Sequence, residues 1–85
     1  MKIDMTRGQP VVDAADLGPL LGVAPADVPA LMRAGEITSR FETGEGEDAG
    51  RMRLTFFYNG KRVRLTCTTQ GEVLSTIKTP APPRM

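Results

Sequence analysis

The chain has 85 residues, 40% of them hydrophobic and 25% charged, with 11 Lys and Arg against 10 Asp and Glu. That length makes one domain with a small core, and a net charge of +1 gives no overall pull toward nucleic acid or membrane, so any electrostatic role rests on how charge is distributed. A single cysteine and no histidine exclude an internal disulfide and the usual structural zinc site, and remove the commonest general base.

The first ten residues, MKIDMTRGQP, contain no apolar signal core. No apolar run approaches the ~20 residues needed to cross a bilayer, so a cytoplasmic location is the default expectation. KIDM reads as a short strand with Ile3 and Met5 to one side, TRGQP as a turn, and Val11-Val12 as a second short strand. Asp13 is placed to cap a helix, because its side chain can accept from the N–H of Ala15 or Asp16. Leu17, Leu20 and Leu21 share a face of that helix, and Gly22 ends it. Pro19 lacks a backbone donor and crowds the preceding turn, so the helix is expected to be short or kinked.

VAPADVPALMRAGEI predicts a second helix, with Pro25 in the first position, Val28, Leu31 and Met32 as its apolar stripe, and Gly35 as its stop. After Gly35 the pattern alternates. Ile37, Ser39 and Phe41 fall on one face of a strand, and Thr38, Arg40 and Glu42 on the other. GEGEDAG is a polar loop, TTQGEVLSTIK supplies a last strand, and residues 79–85 form a Pro-rich tail expected to be disordered outside a domain of residues 1–78. The expected fold is α+β: two short N-terminal helices on one face of an antiparallel β-meander, with a short N-terminal strand or hairpin.

Residues 51–67, RMRLTFFYNGKRVRLTC, carry the most information. Asn59-Gly60 between two alternating runs predicts a two-residue hairpin turn, since that turn needs positive φ at both central positions. Tyr58 then pairs with Lys61, Phe56 with Val63, Leu54 with Leu65 and Met52 with Cys67. On the opposite face Phe57 meets Arg62, Thr55 meets Arg64, Arg53 meets Thr66 and Arg51 meets Thr68. No arginine lies directly opposite another, as a stable register requires. For the next turn, a two-residue loop would put Leu74 inward; a three-residue TQG loop with Gly71 in a left-handed position is preferred, because it pairs Cys67 with Val73 and Val63 with Ile77 and keeps Val73 and Ile77 inside together.

The outer face would carry Arg51, Arg53, Arg62 and Arg64, joined by Arg40 if its strand is adjacent, with Phe57, Thr55 and Thr66 between them. One expectation is a solvated face whose arginines pair with Glu42, Glu45 or Glu47. The other is a binding surface for an acidic protein, a second copy or an anion, with Phe57 and an outward Leu74 adding apolar area. Single-stranded nucleic acid is the alternative partner, with Phe57 or Tyr58 as the stacking ring. Glu42, Glu45, Glu47 and Asp48 do not follow the calcium-loop spacing, and no metal or cofactor is implied. Cys67 is expected in the core opposite Met52. With no glycine-rich phosphate loop and no triad, the chain reads as an interaction module and not an enzyme.

Two resemblances accompany these readings. LGVAPADVPALMRAGEI resembles the small helix-turn-helix of excisionase-type DNA-binding domains through Leu21-Gly22-Val23, Val28, Leu31 and Gly35-Glu36-Ile37. That resemblance implies DNA binding through the second helix, yet the outward positions Pro25, Ala26, Asp27, Pro29, Ala30 and Arg33 offer one arginine where groove readers need several polar donors. Over most of residues 10–77 the chain also resembles a family of short proteobacterial proteins known only as a domain of unknown function, through MRAGEITSR, GEGEDAGR and RLTFF. That resemblance implies a stand-alone bacterial domain and no particular activity.

Overall fold

The computed structural model describes residues 3–5, 10–44 and 46–80. Asp13 caps the first helix, α1 (Ala14–Leu21), accepting from the Ala15 N–H at 2.9 Å. At its other end the Val23 N–H reaches back to the Gly18 carbonyl at 2.9 Å, the six-to-one bond of a Schellman cap. Pro19 lies within α1, which spans 8 residues. A 3₁₀ turn over Pro25–Asp27 leads directly into α2 (Val28–Arg33). This junction accommodates Pro29, because the first turn of a helix has no donor to lose.

Gly18 shows why α1 and the turn after it pack so closely. A Cβ at this position would stand 2.8 Å from the Val23 carbonyl oxygen and 3.1 Å from the Pro25 nitrogen. The helix therefore accepts a residue of low helical propensity where the returning backbone leaves no room for a side chain.

Four antiparallel strands follow in sequence order: β1 (Thr38–Thr43), β2 (Arg51–Tyr58), β3 (Lys61–Thr68) and β4 (Val73–Pro80). The β2–β3 hairpin has the register that its turn dictates. Tyr58 pairs with Lys61 and Met52 with Cys67, across Asn59 at φ +49° and Gly60 at φ +74°. Leu17, Leu21 and Val28 from the helices join Met52, Leu54, Phe56, Val63, Leu65 and Cys67 in one buried cluster. The helices thus cover one face of the sheet, and the protein is α+β with its helices N-terminal to its strands.

The β3–β4 ladder departs from the expected register. The loop itself is as expected: Gly71 has φ +91°, its N–H donates to the Thr68 carbonyl, and Cys67 pairs with Val73. One step further, however, the register shifts between Thr66 and Cys67, and Ser75 pairs with Thr66. Leu74 is thereby the extra residue of a bulge, and every later β4 residue changes face. Val63 opposes Lys78, not Ile77; Ile77 opposes Arg64 on the outer face and is 49% exposed.

Smaller differences follow from coverage. Phe41 is on the helix-covered side as expected but is 46% exposed, because its strand is the sheet's edge. Met32 is also exposed, while Val28 is buried and Leu31 partly so. Among the described residues the N-terminal strands are represented by the bridge of Asp4 with Val11, and most of the turn expected between them, residues 6–9, lies outside the described residues. β4 continues through Thr79 and Pro80, two residues into the expected tail, and residues 81–85 of that tail lie outside the described residues.

Candidate functional site

The outer face of the sheet can be laid out as rows across the strands. Thr38, Phe57, Arg62 and Thr79 form one row; Arg40, Thr55, Arg64 and Ile77 the next; Glu42, Arg53, Thr66 and Ser75 the third. Arg51 and Thr68 follow beyond them. Since β1 pairs with β2, Arg40 joins the face, so all six residues expected there, Arg40, Arg51, Arg53, Phe57, Arg62 and Arg64, share one surface. Among the described residues the carboxylates on these strands' outer positions are at the margin, with Glu42 on the edge strand and Glu72 at the β3–β4 loop. Glu45, one of the expected partners of the arginines, lies outside the described residues.

Arg62 and Arg64 are half-buried on this face, whereas Arg40, Arg51 and Arg53 are exposed. Thr55, flanked by Arg40 and Arg64 across the strands, is only 3% exposed although it points away from the core. Long guanidinium stems covering a polar residue in this way keep their heads at the surface. Arg62 is held in place, its Nε donating to Thr79 Oγ1 at 3.1 Å. Arg64 is half-buried, and its Nε is shielded from solvent without an acceptor. Arg40 and Glu42 make a loose ion pair at 3.9 Å, with the arginine side chain 72% exposed.

The aromatic residues divide unequally. Phe41, Phe56 and Tyr58 are on the helix side and only Phe57 is on the outer face, half-buried between Thr38 and Arg62. Tyr58 thus packs against the core cluster. Sequence reasoning missed Ile77, which supplies an apolar contact beside Arg64. Val73 and Ile77 are four residues apart and would share a face in a regular strand. Only the bulge separates them, and no glycine marks Leu74 as its site.

Lys61 belongs to the scaffold. Its ammonium lies 3.2 Å from where a Cβ on Gly22 would stand, at the C-terminal end of a helix with no basic residue in its last turn. A cation there complements the negative end of the helix dipole. Nearby, a shallow hollow of about 220 Å³ is lined by Leu20, Val63 and Pro80 with Lys61, Arg62 and Lys78. Among the described residues no three acidic or cysteine side chains gather as a metal-binding group. Among them, too, no helix is long and apolar enough to cross a membrane. In the helical unit, Pro25, Ala26, Asp27, Pro29, Ala30 and Arg33 are all exposed, and α2 itself spans only 6 residues.

A family model, described as a family of unknown function (DUF6522), matches residues 1–84. The chain belongs to this family. DUF6522 membership spans the helices, the acidic loop and the whole sheet, so the outer face lies within the matched region. No curated protein and no solved structure matches the chain.

Proposed function

We propose that this DUF6522 protein is a non-enzymatic docking module that binds an acidic, partly apolar protein segment through the outer face of its sheet. The observation that carries this reading is the gathering of Arg40, Arg51, Arg53, Arg62 and Arg64 on one surface of a chain whose net charge is only +1. Opposite charges elsewhere cancel the total, while the face keeps a local positive field that favours anionic partners. The guanidinium of Arg64 supports the same reading. Arg64 is half-buried, so a carboxylate that meets its guanidinium makes a charge-assisted bond that solvent screens less than it would at a fully exposed arginine.

The apolar groups favour a polypeptide over a single-stranded nucleic acid. Stacking platforms present successive rings, and here Phe57 is alone on the face. Ile77, 49% exposed and directly opposite Arg64, instead offers an aliphatic contact beside the arginines. Such a mixture suits a strand or helix carrying Asp or Glu next to Leu or Val.

The test is a fluorescence-anisotropy titration with a labelled peptide of alternating Glu and Leu, run beside a single-stranded DNA oligonucleotide of equal charge. The peptide is expected to bind more tightly than the DNA, to weaken as salt rises, and to lose binding in the Arg51→Glu, Arg64→Glu double variant. Tighter DNA binding with a steep salt slope would transfer the face to nucleic acid. No binding of either probe at low salt would overturn the proposal.

A further inference from the structure

The geometry points to β1 as a self-pairing edge: we propose that two copies of the chain associate by antiparallel pairing of Thr38–Thr43 with the same strand of the second copy, centred on Phe41. The sheet has two edges, β1 and β4. β4 carries Lys78 and Pro80, residues that discourage strand addition. β1 carries neither lysine nor proline, and all 6 of its residues are exposed.

The hydrogen-bonding phase of this edge can be read from one contact. The Gly44 N–H donates to the Arg51 carbonyl at 2.8 Å, continuing the β1–β2 ladder by one residue. Backbone groups alternate in direction along an antiparallel strand. Thr38, Arg40 and Glu42 therefore direct theirs at β2, and Ser39, Phe41 and Thr43 direct theirs outward. A two-fold axis perpendicular to the sheet at Phe41 lets the two Phe41 residues exchange both backbone bonds. It also brings each Ser39 opposite a Thr43 in the same hydrogen-bonding phase.

Charge selects this register from its neighbours. With the axis at Phe41, Arg40 of each copy stands opposite Glu42 of the other, on the outer face, so both cross-strand pairs join opposite charges. Moved to Ser39, the axis sets Glu42 opposite Glu36; moved to Thr43, it leaves Arg40 opposite Gly46. Phe41 adds a second contribution. It is 46% exposed on the helix side at the centre of the strand, and the two-fold brings two such rings together. Closed symmetry also ends the assembly at two copies, because each β1 has a single free edge.

This proposal does not rest on the acidic-partner reading. Its geometric consequence is that both arginine faces lie on the same side of one continuous sheet. A contact made by one short strand edge falls below the roughly 1,000 Å² of a standard interface, so the dimer is a weak one.

Sedimentation velocity of the full chain from about 10 µM to 1 mM should show a concentration-dependent monomer–dimer equilibrium. Arg40→Glu and Glu42→Arg each place like charges across the axis and should weaken dimerisation about tenfold or more. Mixed together, those two variants should form a heterodimer, since the glutamate introduced at position 40 of one copy then meets the arginine introduced at position 42 of the other. The double variant carrying both changes should dimerise by itself. Both side chains are at the surface, so unchanged circular dichroism and thermal midpoints will confirm that each variant folds. A monomer throughout the concentration range overturns the proposal. So does a dimer that ignores the single reversals, or variants that fail to recover on mixing.

Discussion

Cys67 illustrates how one position can be decided by its surroundings. It is fully buried between Met52 and Val73, and its thiol lies 3.7 Å from the Met52 carbonyl oxygen, which can accept its weak hydrogen bond. Burial pushes its pKa above the ordinary 9.0, because a thiolate would lose its hydration there. The sign of the resulting pH dependence follows. Well below pH 9 both folded and unfolded chains hold the proton and the contribution is constant. At higher pH the unfolded chain releases the proton first, so the folded state binds more protons and stability falls as pH rises. Urea denaturation at a series of pH values from neutral to alkaline should show a steeper alkaline loss for the native sequence than for Cys67→Ala. In its folded state the thiol should also react with a disulfide reagent far more slowly than a free thiol, and at the ordinary rate after denaturation.

The strands show where local sequence specifies structure and where it does not. The β2–β3 register was legible because Asn59-Gly60 admits very few turn geometries, and a period of two then assigns every side chain to a face. The helix caps at Asp13 and Gly22 were legible for the same kind of reason, being local chemistry at a fixed position. The bulge at Leu74 was not, since it arises in the β3–β4 ladder and is unmarked by glycine. It also decides where Ile77 goes, and so it alters the candidate site. The partial exposure of Phe41 and Met32 was hidden as well, because periodicity gives a residue's face but not whether a neighbour covers it. Ile77→Thr separates the observed register from the regular one, and Leu65→Ala, buried in either register, sets the scale of a core loss. Leu65→Ala, at a site with no exposure, should cost about 2–5 kcal/mol. Ile77→Thr should stay within about 0.5 kcal/mol, as for a surface site, whereas an inward Ile77 would make it severe. Equilibrium denaturation of both variants reads the difference.

Small chains have little stability in reserve, and this one closes its core with its own beginning. The helices and hairpin leave the end of the sheet at the β3–β4 loop to be covered from elsewhere, and Ile3 does so at 1% exposure. Its N–H donates to the Gly71 carbonyl at 2.7 Å. The approach is so close that a Cβ on Gly71 would fall on the Ile3 carbonyl group, and the φ of +91° there also disfavours any side chain. The loop and the N-terminal segment therefore form one unit, and the two residues should not act independently. Ile3→Ala removes the buried side chain and should cost about 2–5 kcal/mol. Gly71→Ala leaves that side chain intact but displaces the segment that carries it, adding the strain of its own backbone. In a double-mutant cycle the pair should cost less than the sum of the single changes, by about 0.5–3 kcal/mol, because Gly71→Ala has already lost most of what Ile3 contributes. Strict additivity would mean that the N-terminal segment packs without help from the loop. Hydrogen exchange supplies the spatial check: in Gly71→Ala, protection should fall at Ile3 and across the β3–β4 loop before it falls in the β2–β3 hairpin, which is held by its own turn and by the centre of the core.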